Sequence, residues 1–103
     1  MSYSIATMQH VEALRRHSDG LRVVADSLLD AVKNPAQRVD PVAVFKAVAD
    51  AKAECQAVLK SYPTCELAPE PVREALSLTH RSCIECLAAF ASVGHARQAQ
   101  DDD

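Results

Sequence analysis

The chain has 103 residues, a formal net charge of −3 and a hydrophobic fraction of 49%. That is the length of one domain, 1–103, with enough apolar residues for a core. The acidic balance argues against a dedicated nucleic-acid binder, which normally carries a basic patch, and no stretch approaches the run of about 18 apolar residues that a membrane span needs. Eighteen residues are alanine, whereas tryptophan is absent and phenylalanine and tyrosine number two each. Aromatic side chains bury the most area per residue, so this core is thin and its helices should approach closely. Two glycines leave few tight turns for a sheet, and scarce glycine with abundant alanine favours helix. The start of the chain, MSYSIATMQHVEALRRH, lacks the early positive charge and apolar run of a signal peptide. A cytoplasmic protein with reduced cysteines is the expectation.

The first predicted helix covers about 4–33. Val11, Leu14, Ser18, Leu21, Ala25, Leu28 and Val32 follow the 3-4 spacing of a heptad seam. Ser4 is suited to the N-cap, and Asn34-Pro35 ends the element. Gly20 costs about 1 kcal/mol relative to alanine in mid-helix, yet the seam keeps its register across it, which favours one unbroken helix of about 45 Å. His10 and His17 are two turns apart, too far to share a metal ion, and read as solvated or partner-facing. Glu12 with Arg16, Arg15 with Asp19 and Arg22 with Asp26 are spaced as i,i+4 pairs on a wet face rather than as a basic patch.

The second helix is expected over about 41–61, started by an Asp40 N-cap and Pro41 and ended by Pro63. Its seam is Val44, Val48, Ala51, Cys55, Val58 and Tyr62. The third is expected over about 71–93, with Val72, Leu76, Thr79, Cys83, Cys86, Phe90 and Val93 on the seam and Gly94 as C-terminal cap. The polar tail, about 95–103, ends in three aspartates and should fray. These elements predict an all-α small bundle in which the long first helix packs along an antiparallel hairpin of the other two and outruns it at one end.

The stretch THRSCIECL, residues 79–87, looks most like chemistry. Cys83 and Cys86 fall on the third seam and Cys55 on the second, where free cysteine packs as a small hydrophobe. That reading is favoured over metal binding. The full spacing, C-x9-C-x17-C-x2-C, brings only one close pair where a zinc site normally has two, and Cys65 lies off the seams in a loop. A redox role is weaker still, because a reactive C-x-x-C usually sits at a helix N-terminus and this one lies well inside its helix. HRSCIEC resembles the cysteine-bearing helices of cytosolic copper-storage bundles, which carry many more cysteines. The resemblance covers those seven residues and assigns no ligand.

No phosphate loop, nucleophile elbow, dinucleotide fingerprint or HExxH motif is present, and the chain reads as no enzyme and as needing no cofactor. The expected function is a non-catalytic protein-protein interaction module, such as an adaptor, inhibitor or regulatory subunit. Val23, Leu29, Leu78 and Ile84 are apolar and lie off the seams, which marks them as the partner-binding residues. The first candidate partner is a second copy in a homodimer; neither nucleic acid nor membrane is expected. The alternative is a metal- or redox-responsive bundle using Cys55, Cys83, Cys86 and His80.

Overall fold

The structure is a computed structural model that describes residues 3–101. Three helices form in chain order: α1 (Ile5–Lys33), α2 (Pro41–Leu59) and α3 (Glu70–Asp101). A single 3-10 turn, Cys65–Leu67, interrupts the second connection. The starts are built as their sequences imply. Ser4 Oγ accepts from the Thr7 amide at 3.1 Å, and Asp40 Oδ1 accepts from the Val42 amide at 3.0 Å with Pro41 in the first turn. Each satisfies one of the amides that a helix start leaves without a partner.

α1 is continuous through Gly20. α2 closes at Leu59, short of the expected end near residue 61, because the Ser61 and Tyr62 amides bond the Val58 and Leu59 carbonyls three residues back and tighten the last turn. The third helix departs most from expectation. Gly94 neither caps nor breaks it, and the segment expected to fray is helical to Asp101; Asp102 and Asp103 lie outside the described residues. Gly94 has no positive φ, so it takes the helical conformation that any residue would. The Arg97 guanidinium donates to the Gln37 carbonyl in the α1–α2 loop, which gives the last turns a docking point that the tail's polar sequence does not announce.

The helices run up, down and up. The Thr79 hydroxyl donates to the Leu14 carbonyl at 3.1 Å, and one turn further Ser18 Oγ meets Ser82 Oγ at 2.8 Å, so α1 and α3 are parallel and in register. α2 is antiparallel to both: Tyr62 meets His10 near the start of α1, and Phe45 meets Phe90 far along α3. α1 and α3 form the main interface, and α2 packs more sparsely on each. The expected overhang of α1 is therefore absent. α3, at 32 residues, is about 48 Å long against about 44 Å for α1, and α2 is the short element. The result is a rod of 58 × 20 × 18 Å.

The core is divided. One cluster joins Leu21, Leu28, Val44, Val48, Cys86 and Val93 at one end; the other joins Val11, Leu14, Val58, Val72 and Leu76 at the opposite end. At the waist between them lie Ser18, Thr79 and Ser82, all buried. Their hydroxyls bond each other or backbone carbonyls, as buried polar groups must. Small side chains here let α1 and α3 approach closely.

Candidate functional site

A groove of about 650 Å³ lies between α2 and α3. Cys55 and Leu59 of α2 face Leu76, Cys83 and Ile84 of α3 across it. Cys55 and Cys83 in its lining fill less volume than leucine would. Beyond it, Phe45 and Phe90 bridge the same two helices edge to face, with ring centroids 5.3 Å apart. Cys65, from the turn, closes the lower end.

The cysteines are free thiols in three different settings. Cys86 is sealed in the core against α1. Cys83 is buried with its thiol beside the groove. Cys55, on the seam of α2, is half-buried, with the groove on its open side. Cys65, expected to be stranded in a loop, instead shares the groove with Cys55 and Cys83. Burial raises the thiol pKa values of Cys55, Cys83 and Cys86, and the prospect of a neighbouring thiolate at Cys83 raises those of Cys55 and Cys86 further. Lys52 opposes the rise at Cys83. A thiol pushed upward is a poor nucleophile and a reluctant metal ligand at neutral pH.

His80 is exposed on the groove wall beside Arg81, with Lys52 opposite on α2. The set Cys55, His80, Cys83 and Cys86 does not assemble. Cys86 points into the core, and among the described residues no three of the His, Cys, Asp and Glu side chains come together closely enough to hold a metal ion.

The four residues expected to bind a partner are also dispersed. Val23 lines a shallow gap between α1 and the start of α2. Leu29 sits in a furrow between α1 and α3 floored by Ala25 and Ala88. Leu78 is half-buried among the charges of Glu74 and Arg81. Only Ile84, 55% exposed, lies in the α2–α3 groove. The other large apolar residue exposed there is Leu59. The signal that finds them is a second stripe on each helix, beside the core seam: Phe45, Lys52, Gln56 and Leu59 repeat at 7-4-3 on α2, and His80, Ile84, Leu87 and Ala91 repeat at 4-3-4 on α3. Both spacings return a residue to one helix face.

His10 is not a solvated member of a pair with His17. Its Nδ1 lies 3.0 Å from the Tyr62 hydroxyl, tying the end of α2 to the start of α1. Of the three expected ion pairs on α1, Glu12 and Arg16 meet at 3.0 Å; the other pair among the described residues is Lys46 with Asp50 at 3.3 Å. No helix among them is long and apolar enough to cross a membrane. Comparison of the chain with models of known protein families, with curated proteins and with solved structures finds no match.

Proposed function

We propose that the chain is a non-catalytic protein-protein interaction module and that the groove between α2 and α3 is its binding face. The observation that supports this reading is the groove itself, in which Leu59 and Ile84 are exposed beside Leu76 on a small protein whose large apolar residues are few. Apolar side chains placed side by side in a furrow, rather than scattered singly, are what a partner helix covers. The thiols' raised pKa values also fit a non-catalytic role, since a nucleophilic cysteine is normally tuned the other way.

The test uses three baits against an extract of the native host: the wild-type chain, Ile84→Lys and Val23→Lys. Both substitutions place lysine at an exposed site, so both proteins fold, but only the first lies in the groove. A stoichiometric partner kept by Val23→Lys and lost by Ile84→Lys supports the reading. Loss with Val23→Lys alone moves the interface to the α1–α2 side, and equal retention by all three removes the groove from consideration.

The alternative is a metal- or redox-responsive bundle using Cys55, Cys83, Cys86 and His80, and the observation in its favour is that Cys55, Cys83 and His80 line one groove. Metal analysis of the reduced protein decides it: a stoichiometric zinc or copper ion, lost in Cys55→Ser and Cys83→Ser, would replace the first reading with this one.

A further inference from the structure

Deepening that reading, and resting on it, we propose that the groove docks an acidic amphipathic helix of a different protein, which completes a four-helix bundle. Three features lead there. The first is length. The groove is lined from Lys52 to Leu59 on α2 and from Leu76 to Ile84 on α3, so it runs about 12 Å, a little over two helical turns. The second is periodicity. Both walls carry heptad-like stripes parallel to the groove, the surface that receives the knobs of a neighbouring helix at a small crossing angle.

The third is charge. The residues lining the groove include Lys52, His80 and Arg81 and no carboxylate. Neither ion pair among the described residues involves Lys52 or Arg81. On a chain of net charge −3, Lys52 and Arg81 on opposite walls of a groove with no carboxylate in its lining select a partner whose flanking positions are Glu or Asp. The same charges weigh against a second copy. A two-fold contact sets a patch against itself, so Lys52 and Arg81 of both copies would converge.

The test uses three synthetic peptides of about 20 residues, long enough to hold a helix. One has a leucine stripe flanked by glutamate; the second has the same stripe flanked by lysine; the third keeps the glutamates and scrambles the stripe. Binding to the full chain is read by calorimetry at low and high salt. The expected result is that the first peptide binds about tenfold tighter than the second, the gain from a few rim ion pairs, that high salt erodes the difference, and that the scrambled peptide does not bind. The double variant Lys52→Glu, Arg81→Glu, both residues exposed, should reverse the preference, and Ile84→Lys should remove binding with helicity unchanged. Equal binding of the first two peptides overturns the acidic partner while leaving the groove as a docking face. Equal binding of the first and third shows charge attraction without helix docking and overturns the proposal. No binding by any of them overturns the docking reading together with it.

Discussion

A thiol ionises less readily where its thiolate has no water around it, and the cysteines grade by that criterion. Cys65 is exposed, Cys55 half-buried, Cys83 and Cys86 buried. A thiol reagent applied to the native protein should therefore modify Cys65 first, Cys55 next, and Cys83 and Cys86 only as the bundle opens; mass spectrometry of timed samples reads the order. Labelling of Cys86 as fast as Cys55 would mean that the upper core is not closed. The raised pKa values also set a pH dependence. A thiol whose folded pKa lies above its unfolded value keeps its proton in the native state at a pH where the unfolded chain has lost it. Rising pH then favours unfolding. Stability should hold below the ordinary thiol value of about 9 and fall above it as pH climbs towards the raised values. Cys83→Ala and Cys86→Ala should flatten that alkaline slope in urea titrations, whatever they do to the midpoint at neutral pH. Sequence spacing placed Cys83 and Cys86 on the core seam without difficulty. It could not place Cys55 and Cys65, because their exposure depends on how far α2 stands from α3, which no spacing within one helix encodes.

Within single helices, local rules held where the helix ends are governed by nearby residues and failed where a distant contact decides. Ser4, Asp40 and Pro41 act through atoms two or three positions away, so both starts were legible. The end of α3 is held by Arg97 on Gln37, sixty positions distant, so Gly94 looked like a stop. The glycines themselves are now informative. A Cβ built on Gly20 or on Gly94 meets nothing within 4 Å, and neither has a positive φ. Gly20→Ala and Gly94→Ala should each stabilise the protein by about 0.5–1 kcal/mol through helix propensity and a less flexible unfolded chain, measured as a higher denaturant midpoint with unchanged slope. A loss of stability at Gly94 would show that α3 does bend or stop there in solution. Between α1 and α3 the informative pair is Ser18 with Ser82. Removing one hydroxyl leaves the other buried and short of a partner, at a cost of about 1–3 kcal/mol, whereas removing both is nearly neutral. A double-mutant cycle to alanine should thus show the double variant more stable than the sum of the singles; strict additivity would mean that each serine bonds its own helix backbone instead.

At the scale of the molecule, the seams predicted three helices and a bundle, and the missing piece was relative length. Reading α3 as ending near residue 93 made α1 appear to overhang, and an uncovered end invites a second copy. With α3 running to Asp101 the two long helices match, and the short element is α2. Exposed apolar residues lie both at the start of α1, where Tyr3, Ile5 and Met8 are open, and along the furrow, at Leu59 and Ile84. The furrow's cations oppose self-docking, because a two-fold contact would bring Lys52 and Arg81 against their own copies. Light scattering across a concentration series should accordingly give a mass near the 11.1 kDa of one chain. The same sample should diffuse more slowly than a sphere of that mass. Its radius of gyration of 16.5 Å exceeds the roughly 13 Å of a compact domain of about 100 residues, as a rod 58 Å long requires. Adding the acidic helical peptide should raise the mass by one peptide per chain and no more, since the structure offers one such groove among the described residues. A mass of two chains, unchanged by salt and lost in Leu29→Lys, would instead put the interface on the small-residue furrow between α1 and α3. The protein would then be a homodimer held through its long helices.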